Sequence, residues 1–129
     1  MTFHTLIVDD SSAVRAFVRA ALEDADFARV QEAETGFEAL QLLASNVFDV
    51  VIVDVNMPDI NGLELLAFMN KSPRQQGAMK ILISTRADGL DAKRGATLGA
   101  NAFLAKPFGV HDLRKLIRDL ANRIEEVQG

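Results

Sequence analysis

Three aspartates, a serine–threonine pair and a lysine occupy equivalent places along the chain, each directly after a short apolar run. Asp9 and Asp10 follow Leu6-Ile7-Val8, and Asp54 follows Val50-Val51-Ile52-Val53. Ser84 and Thr85 follow Ile81-Leu82-Ile83, and Lys106-Pro107 follow Phe103-Leu104-Ala105. A lone aspartate in such a place is ordinarily a helix cap or a turn residue, so the recurrence carries the argument. Clustered carboxylates repel one another and call for a cation. Hard oxygen ligands without histidine or cysteine suit Mg²⁺, which keeps several waters and accepts phosphate oxygens. A carboxylate can also act as a nucleophile and become an aspartyl phosphate. The charge on a phosphoryl group in flight then needs compensation, which Mg²⁺ and Lys106 can supply from two sides. The hydroxyl of Ser84 can donate to the phosphate once it is attached. The residue types point to a metal-assisted phosphoryl acceptor.

These residues meet only if the fold gathers the ends of the apolar runs. The runs are Thr5–Val8, Val30–Ala33, Asp49–Val53, Lys80–Ile83 and Asn101–Ala105. All but the second are rich in Val, Ile, Leu or Phe, and continuous rather than alternating hydrophobicity predicts central strands covered on both faces. Val50–Val53 should be the most buried. Amphipathic helical patterns separate the runs. Val14, Phe17, Val18, Ala21 and Leu22 repeat at helical spacing behind the N-cap candidates Ser11 and Ser12. Phe37, Leu40 and Leu43 do so behind Thr35-Gly36, and Leu63, Leu66 and Met69 behind Asn61-Gly62. The last helix carries a stripe of Leu113, Leu116, Ile117, Leu120, Ile124 and Val127. Leu90–Leu98 has few large apolar residues and should dock least tightly. Strands alternating with helices imply parallel pairing and right-handed crossovers. The predicted fold is α/β, a doubly wound five-stranded parallel sheet of order 2-1-3-4-5 with five helices on two faces. In such flavodoxin-like sheets the site lies outside the carboxyl ends of the strands.

Composition trims the alternatives. A chain of 129 residues is expected to be one domain, burying roughly two-thirds of its unfolded surface. The absence of cysteine excludes disulfides, thiol catalysis and cysteine-based metal sites. No apolar run approaches a membrane span and no basic-then-apolar signal opens the chain, so a cytoplasmic location is expected. A net charge of −4 argues weakly against direct nucleic-acid binding, which relies on basic side chains meeting phosphates.

The motifs Leu6-Ile7-Val8-Asp9-Asp10-Ser11, Val53-Asp54-Val55-Asn56-Met57-Pro58 with Gly62, Ile83-Ser84-Thr85 and Lys106-Pro107-Phe108 resemble the receiver domain of two-component response regulators, chemotaxis type. The resemblance runs from about Thr5 to Arg123. It implies that Asp54 is phosphorylated, and that Asp9, Asp10, Asp54 and the backbone carbonyl of Asn56 hold Mg²⁺. It implies further that Lys106 pairs with the phosphate, with its bond to Pro107 cis. Ser84 takes the place of the switch hydroxyl and Phe103 that of the aromatic coupled to it. Such a domain is not an enzyme in the ordinary sense, although it catalyses its own phosphorylation and dephosphorylation. Four positions depart from the commonest pattern or tune it. Thr85 stands where the family usually has Ala, Phe103 where Tyr is frequent, and Asn56 and Arg86 hold positions that face the phosphate rim and tune hydrolysis.

Plainer readings stand beside these. Asp54–Leu65 fails as a calcium loop, because Pro58, Asp59 and Leu65 occupy the fifth, sixth and twelfth places. His4 and His111 lack partners for metal or nucleophilic chemistry, so the phosphodonor histidine belongs on another protein, a sensor histidine kinase or a histidine phosphotransfer protein. Ser84 has no G-x-S-x-G elbow around it, and no phosphate-binding glycine loop points to ATP. Phe17, Phe27, Phe37, Phe48 and Phe68 are expected in the core or in helix packing. Ile124 and Val127 are expected beyond the sheet, free for a partner or a second copy, so that the chain is a monomer or a weak homodimer through the last helix. Only Glu125–Gly129 follow that helix pattern, so no effector domain is expected within residues 1–129 and output passes to a downstream target protein by contact. Two other classes remain in view. One is an aspartyl-phosphate phosphohydrolase, which Asn56 disfavours because an amide cannot serve as acid or base; the other is a binding module independent of phosphorylation.

Overall fold

The structure is a computed structural model and describes residues 3–25, 27, 29–85 and 89–128. Its strands are β1 (His4–Val8), β2 (Arg29–Ala33), β3 (Val50–Asp54), β4 (Met79–Ser84) and β5 (Ala102–Ala105). Its helices are α1 (Ser12–Asp24), α2 (Gly36–Ser45), α3 (Gly62–Lys71), α4 (Leu90–Thr97) and α5 (Val110–Gln128). All strand pairs are parallel, in the order β2-β1-β3-β4-β5. That is the architecture expected from the alternation of runs. The strands differ from the apolar runs by a residue at some ends. The difference matters at β3 and β4, where Asp54 and Ser84 still belong to the ladder, opposite Ile83 and Ala105.

Helix starts follow the local chemistry. Ser11, Thr35 and Asn61 cap α1, α2 and α3, accepting from the N–H groups of Val14, Glu38 and Glu64. Glu64 returns a bond to the Asn61 N–H, completing a capping box. Each cap thus begins a helix just beyond a strand end, which fixes where the intervening loop turns.

The helices bury two apolar layers against the sheet. α2 and α3 cover the face of Leu6, Val8, Val51, Val53 and Leu82, while α1 and α5 cover Ile7, Val50, Ile52, Ile81 and Ile83. β3 is buried throughout, because both layers close over it. β2 is half exposed, as its edge position allows. Phe27 and Phe48 lie in the core, but Phe17, Phe37 and Phe68 are exposed on helix surfaces, with Phe37 61% exposed. Ile124 also corrects the sequence reading. It is buried with Leu113, Ile117 and Leu120 in the α1–α5 layer, since the packed face of α5 continues past Leu120. It is therefore unavailable to a second copy, and the side chain of Val127 lies outside the described residues.

The amino edge of the sheet is closed by polar side chains. Gln75, in a 3₁₀ turn at Pro73–Gln75, donates to the carbonyls of Leu43 and Asn46 and accepts from the Phe48 N–H. His4 has its ring nitrogens on the Val47 carbonyl and Gln31 Oε1 and its ring tilted on Phe48.

Candidate functional site

At the carboxyl edge, β1 ends beside β3; Asp54 is the last residue of β3, and Asp9 and Asp10 open the turn after β1. Carboxylate oxygens of Asp9, Asp10 and Asp54 all lie within 4.8 Å of one another. Asp9 and Asp54 are buried, at 1% and 2% exposure, whereas Asp10 is open to solvent. Each buried carboxylate is held by a backbone donor from the turn after it. Asp9 Oδ1 accepts from the Ser11 N–H at 2.8 Å, and Asp54 Oδ1 from the Asn56 N–H at 3.0 Å.

Their second oxygens face one cation. Lys106 Nζ donates to Asp54 Oδ2 at 3.2 Å and lies 3.0 Å from Asp9 Oδ2. The Lys106–Pro107 bond is cis, and the Lys106 N–H donates to the Ser84 carbonyl. Burial pushes the Asp54 carboxyl above its ordinary value and the Asp9 charge adds to the effect, while the Asn56 N–H and Lys106 oppose it without cancelling it. Burial works to lower Lys106, but Asp9 and Asp54 outweigh burial and hold the ammonium above its ordinary value.

The remaining residues singled out from sequence are distributed around this centre. Thr85 Oγ1 accepts from the Asn56 side-chain amide at 3.0 Å on the exposed rim. Ser84 is buried and turned to Asp91 on α4, donating to its carboxylate. Phe103 is half buried on β5, beside Leu82 in register and against the α2–α3 layer. His111 is exposed. Arg86 lies outside the described residues. An open apolar groove of about 660 Å³, lined by Ala13, Val14, Phe17, Thr85, Lys106 and Phe108, borders the ammonium.

Sequence reasoning missed four contributors. Arg15 donates to the Asp9 carbonyl at 2.7 Å and pairs with Glu32, steadying the turn that presents Asp9 and Asp10. Asp59 accepts from the N–H groups of Gly36 and Phe37, tying the β3–α3 loop to the start of α2. Gly62 packs so closely that a Cβ there would stand 2.7 Å from the Asp54 carbonyl oxygen. Asp91 is buried on a helix that looked merely polar. Gly62 was visible as a motif residue, but its role was not; the others are contacts between segments that no periodicity encodes.

A cluster of oxygen donors, two of them buried and none nitrogen or sulfur, fits a hard divalent cation. Fold and site together define a receiver domain, and known proteins of that class resemble the chain. The response regulator receiver domain family matches residues 5–118. The chain belongs to that family, the receivers of two-component signalling, and is CheY-like. It is 31% identical to the chemotaxis protein CheY of Pseudomonas aeruginosa over 119 residues, covering 92% of this chain and 96% of that protein. It is 36% identical to the KDP operon transcriptional regulatory protein KdpE of Escherichia coli over 116 residues, covering 89% of this chain and 49% of that one. The structure of the chemotaxis response regulator CheY4 of Vibrio cholerae superposes with a TM-score of 0.85 at 31% identity, covering 93% of this chain and 99% of that one. Among the described residues no helix is long and apolar enough to cross a membrane.

Proposed function

We propose that the chain is a phosphorylation-operated signalling switch in which Asp54 accepts a phosphoryl group from a phosphohistidine on a separate histidine kinase or phosphotransfer protein. The observation that carries this reading is the placement of Asp54 at the end of the central strand, with one oxygen on the Asn56 N–H and the other on Lys106. Asp9, Asp10, Asp54 and the backbone carbonyl of Asn56 are the groups that would hold Mg²⁺. When bound, that ion supplies positive charge to the phosphoryl oxygens.

The chain's own residues do the rest. An Asp54 oxygen forms the bond to phosphorus as the phosphorus–nitrogen bond of the donor breaks, its electron pair leaving with the imidazole. Lys106, freed from full occupation by two carboxylates, follows the charge onto the phosphoryl group. Ser84 then donates to the attached phosphate, and Phe103 moves inward with it. The face made by α4, β5 and α5 changes shape, which alters affinity for a target protein. Coupling of this kind is typically worth about 1–3 kcal/mol. Phosphorylation and its reversal are catalysed by the domain on itself, and relatives named for chemotaxis make a motility component the first target to try.

The experiment is to incubate the protein with acetyl phosphate and Mg²⁺, or with a phosphorylated kinase, and to map the label. Label on Asp54, lost in Asp54→Ala, is the expected result. Labelling at the same yield in Asp54→Ala sinks the reading.

A further inference from the structure

We infer that Asp91 is the positioning residue that sets the resting orientation of Ser84, and that withdrawal of Ser84 from Asp91 is what loosens α4. The inference rests on the reading of Asp54 as a phosphoryl acceptor and names the regulation of that site. Ser84 Oγ donates to Asp91 Oδ2 at 2.6 Å, within the range of a hydroxyl on a carboxylate. Both side chains are buried, Ser84 fully and Asp91 to 2% exposure. They belong to different elements, Ser84 closing β4 and Asp91 standing in the first turn of α4.

A hydroxyl carries one proton. It goes to Asp91 or to a phosphoryl group on Asp54, never to both. In the second arrangement the Asp91 carboxylate remains buried with this donor withdrawn, which is unfavourable for a polar group so placed. The relief available is rotation of its side chain toward water, which requires the start of α4 to shift. Its N-cap is Gly89, in the left-handed conformation at φ +74°, a residue with no side chain of its own to cap the turn. The other end is held by close contact, since a Cβ on Gly95 would overlap the Leu82 side chain. The helix is therefore seated at its far end, and withdrawal of the Ser84 proton removes one buried tie at its near end.

The test is titration with beryllofluoride in Mg²⁺, followed by NMR, on wild type, Asp91→Ala, Asp91→Asn, Ser84→Ala and the Ser84→Ala/Asp91→Ala double variant. Asp91→Ala should bind roughly five- to tenfold more tightly than wild type, because Ser84 no longer leaves a partner behind. Asp91→Asn, which keeps an acceptor oxygen in the same shape, should fall between the two. In the Ser84→Ala background, removing Asp91 should change nothing. A gain of equal size without the Ser84 hydroxyl, or no gain in its presence, overturns the inference. If Asp91→Ala does not fold, Asp91→Asn decides alone, and affinity equal to wild type overturns it. Wild type that does not bind beryllofluoride overturns the reading of Asp54 itself, whereas wild-type binding that is indifferent to Asp91 removes only the role given to Asp91.

Discussion

The Lys106 ammonium donates to Asp54 Oδ2 over 3.2 Å, so the residue after the last strand secures the carboxylate that ends the central one. The same ammonium faces Asp9 at 3.0 Å. Replacing it by Lys106→Gln leaves two buried carboxylates beside each other without a cation. In EDTA the variant should lose about 1–3 kcal/mol of stability, the cost of stranding buried charged groups. Urea denaturation in Mg²⁺ should show much of that loss restored, since a divalent cation in the cluster replaces the missing charge. A loss of the same size in both buffers would count against the cluster as a cation site.

A second prediction concerns pH. Burial works to raise the Glu32 carboxyl, but hydrogen bonds from Arg19 and Arg15 outweigh it and hold the group below its ordinary value. A carboxylate lowered by folding stabilises the fold at pH above the unfolded value, and the contribution is lost as pH falls through the folded one. Glu32→Gln should therefore cost about 0.5–1 kcal/mol at neutral pH, a modest figure because these side chains are partly solvated. The difference from wild type should shrink as pH drops below the ordinary glutamate value of 4.5. Thermal melts across that range measure it, and a gap that widens in acid contradicts the assignment.

Gly62 gives a third. A methyl there would stand 2.7 Å from the Asp54 carbonyl and 3.0 Å from Val55 Cα, and neither backbone atom can yield without moving Asp54. Gly62→Ala should cost about 1–3 kcal/mol by overpacking. Labelling by acetyl phosphate should fall as well. Stability lost with labelling intact would show that the loop moves as a block away from Asp54.

The groove beside Lys106 yields a fourth. Phe17 is 39% exposed on α1 and its ring lies 5.9 Å from that of Phe108, so the two form an apolar lip beside Lys106, where the proposed phosphoryl donor would dock. Phe17→Ala should slow transfer from a phosphorylated protein donor roughly tenfold, the effect of losing an aromatic anchor at an interface. Labelling by acetyl phosphate, which needs no lip, should be unchanged. Equal slowing with both donors would place Phe17 in the fold rather than at the docking edge.

Much of this arrangement was legible before folding. Val50–Val53 announced a doubly covered strand by continuous β-branched residues, and Ser11, Thr35 and Asn61 announced helix starts by their oxygen side chains. Asp9, Asp10, Asp54, Ser84 and Lys106 could be placed on one edge because parallel strands put all their carboxyl ends together. What escaped were relationships between segments. Arg15 meets Glu32 across the α1–β2 seam, and Asp59 reaches from one loop to the start of α2. Asp91 went unmarked because a buried carboxylate on a helix looks like any other in sequence. Ile124 was placed too far out for a related reason: an apolar stripe records which side is buried, but not how far along the helix its neighbours continue.

The bonds of Gln75 show how the two ends of the sheet differ. One side chain there answers three backbone groups, from Leu43, Asn46 and Phe48, so the amino edge has a single satisfied arrangement. At the carboxyl edge the proposed phosphoryl group would give the Ser84 proton and the Lys106 charge each a second destination. Amide hydrogen exchange should accordingly be slow and insensitive to beryllofluoride around Phe48, and should change on binding around α4. On the proposed function the molecule would act as a lever clamped at its base, the clamp turning a local rearrangement at Asp54 into displacement at one face instead of a general loosening.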